Sequence, residues 1–230
     1  MIAVGERRQA TVVFSDLTGY TALTERLDPE EVNEVLGLVK QAAERIAERH
    51  GGTINQFVGD EVMMVFGIPN AEEDDPVRAI KAALELHAEI RDKTASLQDR
   101  TGVRLAIHTG ISTGLIFAQY RNEREGLYQL TGDTVNTAAR LRSLAAGDEV
   151  LVSPSTQRLV KPYFEMESRA AVSIKGKAAP LIPFRIVAES QVSSRFEAAQ
   201  ERGFKGYVGR AQELESLQSC LARALAGEGQ

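Results

Sequence analysis

Two aspartates in this chain stand where a carboxylate could hold a divalent cation against a phosphate. Asp16 follows the β-branched apolar run of residues 9–15, and Leu17-Thr18-Gly19-Tyr20-Thr21 after it can open a helix. The unpaired backbone N–H groups of a helix N-terminus favour phosphate, and a neighbouring carboxylate can hold a cation that neutralises it. Asp60 follows Gly59 at the tip of a two-residue hairpin turn. If that hairpin lies beside the first strand, the carboxylates converge. Two carboxylates about a pair of metal ions are the minimal arrangement for in-line displacement at phosphorus. Each acid also has an ordinary structural use, because Asp caps helices and suits tight turns. The residues alone leave both readings open. Asn136 and Arg140 are four apart on one predicted helix and share a face; taken alone they are solvated surface residues. Lys175 and Lys177 flank Gly176 as turn lysines, and His108 reads as a packed, hydrogen-bonded histidine of an apolar strand.

The elements that must position these residues follow from periodicity. Residues 9–15 predict a buried strand. Residues 29–50 predict a helix, opened by Asp28-Pro29-Glu30-Glu31 and stopped at Gly51-Gly52. Residues 53–66 read as a hairpin turning at Gly59-Asp60, and 74–97 as a helix. Residues 103–119 read as a strand pair broken at Thr113-Gly114. A strand at 127–131 and a helix at 133–146 come next. Strands at 149–152, 164–174 and 182–187 follow, with a short helix at 154–160. Hairpins alternate with helices, without the regular strand–helix repeat of a doubly wound sheet. The fold class is α+β: one mostly antiparallel sheet with helices packed on it, expected on one face.

The chain has 230 residues, 43% of them hydrophobic and 26% charged, with a net charge of -5. That is an ordinary soluble balance, with no electrostatic case for nucleic acid or an anionic membrane as partner. No apolar run reaches the roughly 18 residues of a membrane span, and the N-terminus lacks a signal-peptide layout. The single cysteine, Cys220, excludes an intrachain disulfide, suits a cytoplasmic setting and reads as semi-buried. Composition divides the chain into residues 1–188, a polar linker at 189–206, and an amphipathic helical segment at 207–230 carrying Leu214, Leu217, Leu221 and Leu225.

Four blocks resemble the class III adenylyl/guanylyl cyclase family. They are Phe14-Ser15-Asp16-Leu17-Thr18-Gly19-Tyr20-Thr21, Phe57-Val58-Gly59-Asp60-Glu61-Val62-Met63-Met64-Val65-Phe66-Gly67, Thr131-Gly132-Asp133-Thr134-Val135-Asn136-Thr137-Ala138-Ala139-Arg140-Leu141, and Ile174-Lys175-Gly176-Lys177. They occur in the family's order across residues 7–187. The resemblance implies a ferredoxin-like, palm-type catalytic domain that turns ATP into 3′,5′-cyclic AMP and pyrophosphate with two divalent ions, Mg²⁺ or Mn²⁺. It implies Asp16 and Asp60 as metal ligands, and the backbone of Leu17, Thr18, Gly19, Tyr20 and Thr21 as the triphosphate loop. It further implies Asn136 on the ribose, Arg140 on the reacting phosphate and Lys175 on the terminal phosphates. Metal aspartates and the Asn/Arg pair come from different subunits, so the implied assembly is a two-fold homodimer with composite sites. Residues 117–128 fall where the family often carries a dimerisation arm, though their charge equally suits a solvated loop.

The chain departs from the family at the purine-reading positions, where Gln56 and Gln129 replace a Lys/Asp pair. Each glutamine offers a donor and an acceptor, so relaxed base selectivity is expected. The alternative is a weak or inactive cyclase-homology domain serving as a nucleotide-binding regulatory dimerisation module. Gly206-Tyr207-Val208-Gly209-Arg210 with Glu213, Leu214 and Leu217 resembles the start of the ATPase module that follows such domains in bacterial regulators. Fusion to downstream regulatory domains is therefore expected.

Overall fold

A computed structural model of the chain describes residues 5–122, 127–173, 180–190 and 209–227. The chain divides into two units, Met1–Gln191 and Val192–Gln230. The first unit contains β1 (Glu6–Thr18), α1 (Tyr20–Thr24), α2 (Pro29–Arg49), β2 (Thr53–Val58), β3 (Glu61–Phe66), α3 (Asp75–Thr101), β4 (Ala106–Asn122), β5 (Leu127–Thr131), α4 (Asp133–Leu144), β6 (Val150–Val152), α5 (Pro154–Val160), β7 (Phe164–Ser168) and β8 (Phe184–Glu189). The second unit contains α6 (Ala211–Leu225).

The described strands form one sheet in the order β2-β3-β1-β4-β6-β8-β7, with β5 pairing to β4. Every pairing is antiparallel except that of β4 with β6. The first six major elements are the interleaved βαββαβ of a ferredoxin-like core. β1 reads as an unbroken apolar run because it is central and covered on both faces. Val13 and Leu17 join a cluster with Val39 and Ile46 of α2, Leu86 and Ile90 of α3, and Val160 of α5. Ala10, Val12 and Phe14 point the other way, to Met63, Ile116 and Ala138 of α4. The helices therefore flank both faces, not one. The pattern of α4 shows a buried side (Thr134, Thr137, Ala138, Leu141), but carries no information about which sheet face receives it.

Several boundaries differ from the sequence expectation: β1 extends beyond 9–15 at both ends, and α3 runs past 97 to Thr101. Thr113-Gly114 does not break a hairpin; β4 runs straight through it, paired with β1 from Thr18↔Ala106 to Glu6↔Ala118. The Thr113 N–H donates to Thr156 Oγ1 at 2.9 Å. A Cβ on Gly114 would lie 2.7 Å from Thr134 Oγ1, so this glycine makes room for α4. The helix expected to reach residue 146 ends at Leu144, because Ala145 is extended with ψ 134°. The strand expected to reach 174 ends at Ser168; among the described residues beyond it, Val172 and Leu181 form an isolated bridge. Asp28 occupies the N-cap position of α2 but makes no side-chain cap bond. In the second unit all of α6 is exposed, so Cys220 is exposed rather than semi-buried. Most of the expected linker, residues 191–206, lies outside the described residues.

α4 lies directly on β4. A Cβ added to Gly110 would meet the Arg142 backbone nitrogen at 2.1 Å and the Ala138 carbonyl at 2.3 Å. Backbone atoms on both sides leave nothing flexible to yield. Gly110→Ala is expected to cost about 3 kcal/mol or more, read as a lowered urea midpoint. Gly37 of α2 has open space around its Cβ position, so Gly37→Ala should stabilise by about 0.5–1 kcal/mol in the same assay.

His87 of α3 is 5% exposed and meets Thr109 Oγ1 at 2.8 Å. Burial pushes its imidazole down to about 4, against the opposing pull of Asp148. The folded state then refuses a proton that the unfolded chain accepts below about 6.5. Stability is intact above that value and drains away as pH falls toward 4. Between pH 7 and 5 this single group should cost about 2 kcal/mol. Urea melts at the two pH values check it: His87→Gln should lose about that much less than the parent.

Candidate active site

The register of β1 sets the site. Its pairing with β3 ends with Ser15 opposite Val62, and Asp16 lies opposite His108 on β4. The next β1 residue therefore runs alongside Glu61 and the turn residue Asp60. Asp16 shares the face of Val12 and Phe14, which is the α4 face.

The carboxylate of Asp16 is half-buried and surrounded by donors. Oδ1 accepts the Leu17 N–H at 3.2 Å. Oδ2 accepts Arg142 Nη1 at 2.9 Å, and His108 Nε2 stands 3.6 Å from the same oxygen. Burial opposes the Asp16 charge, but His108 and Arg142 together hold its carboxyl below the usual range. Asp60 goes the other way: burial first, then the negative charge of Asp16 beside it, push its carboxyl up. Opposite shifts in two acids are the signature of carboxylates sharing one small space. His108 is pulled up by Asp16, against burial, and by the carbonyls of Ala145 and Arg142 at the end of α4. Its Nδ1 lies 3.1 and 3.0 Å from those two oxygens, which places the proton on Nδ1 and turns Nε2 to Asp16.

The loop after Asp16 is shaped by Gly19, whose φ of +89° and 2.7 Å approach of Arg104 O to a Cβ position demand glycine. Leu17 is buried in the core, Thr18 is exposed, and Tyr20 and Thr21 begin α1.

Gln56 and Gln129, far apart in sequence, line one cavity of about 400 Å³ together with Phe14, Asn55, Met63, Tyr128, Leu130 and Val135. Asn55 joins the two strands: its Oδ1 accepts the Tyr128 N–H at 3.3 Å, and its Nδ2 lies 3.5 Å from Met63 Sδ. Asn55 stands at an irregularity in the β2–β3 register, which turns it into the cavity. Asn136 and Arg140 are both exposed on α4. Among the described residues, neither bonds to Asp16 or Asp60. Lys175 lies outside the described residues.

Arg142, Glu61, His108 and Asn55 are site residues that sequence reasoning missed. Arg142 Nη2 also donates to Glu61, so its guanidinium spans Asp16 and Glu61. Glu61 directly follows Asp60 and Arg142 lies two residues beyond Arg140. Only strand register and the seat of α4 bring them together.

Residues 2–187 match the adenylate and guanylate cyclase catalytic domain family. The chain resembles the crystal structure of the adenylyl cyclase CyaB from P. aeruginosa, with a TM-score of 0.74 and 30% identity over 82% of this chain and 98% of that one. It resembles the guanylyl cyclase Cya2 equally in fold, with a TM-score of 0.74 and 28% identity over 84% of this chain and 98% of that one. It is 29% identical over 177 residues to the human guanylate cyclase soluble subunit beta-2, covering 76% of this chain but only 28% of that protein. The chain thus spans under a third of this curated relative. With a matching fold and a match across nearly all of the first unit, the chain belongs to the adenylate and guanylate cyclase catalytic domain family.

Proposed function

We propose that the chain converts a nucleoside triphosphate, ATP foremost, to its 3′,5′-cyclic nucleotide and pyrophosphate, at sites completed by a second copy of itself. The observation that carries the reading is the carboxylate pair, Asp16 and Asp60, with their opposed proton affinities. Like charges held this close fit a bound dication, and carboxylate oxygens suit Mg²⁺ or Mn²⁺. Among the described residues no group of three or more His, Cys, Asp or Glu side chains is gathered for a metal. The protein would offer two carboxylates, leaving other positions to water and phosphate oxygens, as magnesium sites commonly do. Two ions held by Asp16 and Asp60 would supply a more acidic 3′-hydroxyl and charge neutralisation at the leaving pyrophosphate.

The chain's own residues would do the rest. The backbone of residues 17–21 holds the triphosphate, with Lys175 on its terminal phosphates. Asn136 orients the ribose, and the Arg140 guanidinium stabilises charge on the reacting phosphate. Both face solvent and leave their own chain's aspartates alone, which supports a site shared with a partner's carboxylates. Exposed Leu115 and Phe117 on β4 and Val58 on β2 support a covering partner. Gln56 and Gln129 read the base within the shared cavity. Each amide turns either way, so neither purine leaves an unpaired buried group that would reject it. The second unit is read as the start of a downstream ATPase module.

A second reading, a regulatory dimerisation module with little turnover, draws on Arg142, which in this state already occupies the Asp16 carboxylate.

The test incubates the purified protein with ATP, GTP, CTP or UTP and Mg²⁺ or Mn²⁺, with products identified by mass. Cyclic AMP is the expected main product. Asp16→Ala and Arg140→Ala should each lower turnover about 100-fold or more. Mixing these two inactive variants should restore about a quarter of parental activity, because half the dimers then carry one intact composite site of two. No cyclic product from a confirmed dimer would leave the regulatory reading standing. Separately, Gln56→Lys with Gln129→Asp should raise the ATP-over-GTP ratio of kcat/KM about tenfold or more; an unchanged ratio would remove the glutamines from base reading.

A further inference from the structure

We propose that Arg142 is a resident counter-cation of the carboxylate site, which a divalent ion displaces from Asp16 and which then rests on Glu61. The inference builds on the reading of Asp16 and Asp60 as metal ligands. Three acids, Asp16, Asp60 and Glu61, crowd the ends of β1 and the β2–β3 hairpin. One guanidinium serves two of them: Nη1 reaches Asp16 Oδ2 at 2.9 Å and Nη2 reaches Glu61. Arg142, Asp16 and Glu61 are largely covered, with side chains 24%, 19% and 19% exposed. Screening by water is therefore weaker than for a surface pair.

The two arms of Arg142 are unequal in consequence. Asp16 is a candidate metal ligand, whereas Glu61 is an additional acid beside it. A dication on Asp16 would face a guanidinium bound to the same oxygen, and like charges at that separation repel strongly. The fork of arginine lets one arm release while the other holds, a movement a single-point ammonium cannot make. The seat of Arg142 is firm, since α4 rests on Gly110 and the Arg142 carbonyl lies 3.0 Å from His108 Nδ1. The side chain's anchorage is less complete, because its buried Nε has no hydrogen-bond partner. A firm backbone with an incompletely bonded side chain suits a cation that changes partners without moving its helix. The contact would weaken metal binding until a nucleotide brings further oxygen ligands.

The test measures Mn²⁺ binding to the full chain without nucleotide, by electron paramagnetic resonance of the free ion. Thermal melts confirm that each variant is folded. Arg142→Gln should bind Mn²⁺ about fivefold tighter or more, the scale of one partly covered ion pair. Asp16→Asn should abolish binding. Unchanged or weaker binding by folded Arg142→Gln, with Asp16→Asn still abolishing it, overturns the role of Arg142 and leaves Asp16 as a ligand. Parental binding by Asp16→Asn overturns the metal reading itself, and this inference with it. If Arg142→Gln does not fold, Arg142→Met decides: it removes the charge but keeps an unbranched stem, so tighter binding supports the proposal and equal or weaker binding overturns it.

Discussion

Everything at the carboxylate site depends on the register of β1 between β3 and β4. Side chains alternate along a strand, so a slip of one residue would turn Asp16 into the helix-covered core. The register is pinned on the opposite face by buried polar pairs. Thr11 meets Thr113 at 3.0 Å, and Ser15 meets Thr109 at 2.8 Å, each directly across the β1–β4 ladder. His87 adds a second side-chain partner to Thr109. A slip would strand these hydroxyls without partners in an apolar core, at a cost of about 1–3 kcal/mol for each unsatisfied group. The polar ladder under α2, α3 and α5 therefore holds Asp16 and His108 toward α4. Position on one face is secured by chemistry on the other.

Much of this was legible in the sequence. The strand before Asp16, the hairpin turning at Gly59-Asp60 and the helix bearing Asn136 and Arg140 all follow from local pattern, as does the α+β class. Convergence of Asp16 and Asp60 needed one assumption, that the hairpin lies beside the first strand, and the fold supplies it. What stayed hidden is what depends on register or on the second face of the sheet. Thr113-Gly114 carries ordinary turn signals, yet Gly114 is there because Thr134 of α4 comes within 2.7 Å of where a Cβ would stand. His108 was read correctly as packed and hydrogen-bonded, since its Nδ1 serves the end of α4. Its second nitrogen faces Asp16 through a cross-strand pairing that no local spacing reveals. Arg142 differs from Arg140 by two positions and a rotation of the helix, and only the seat of α4 separates their surroundings.

The cavity lined by Gln56 and Gln129 shows the same dependence. β2 and β5 pair with different strands, β3 and β4, and neither pairing alone sets the distance between the glutamines. Asn55 ties the two strands through the Tyr128 N–H and is 8% exposed. Removing its carbonyl would take away a hydrogen bond that joins β5 to β2. On the proposed reading, base selectivity then has two layers. The glutamines decide which hydrogen bonds are available, and Asn55 decides whether both amides reach the same ring.

The electrostatics of the site explain how one chain can hold so many acids in so little space. Burial raises the cost of charge on both Asp16 and Asp60; Asp16 raises it further for Asp60, whereas a hydrogen bond from Asp60 favours the Asp16 carboxylate. The fold answers asymmetrically. Arg142 and His108 both attend Asp16 Oδ2, whereas Asp60 accepts the proton more readily than a free aspartate. The carboxyl of Asp16 is thus held low by His108 and Arg142 while that of its neighbour is pushed up. That division pairs Asp16 with two basic side chains and leaves Asp60 with the higher proton affinity. It also sets the terms for an incoming dication, which would find Asp16 ionised but occupied and Asp60 available but reluctant to ionise. On the proposed reading, such a site trades metal affinity in isolation for an ordered set of carboxylates. The oxygen atoms of a bound triphosphate would supply the negative charge that the protein by itself withholds.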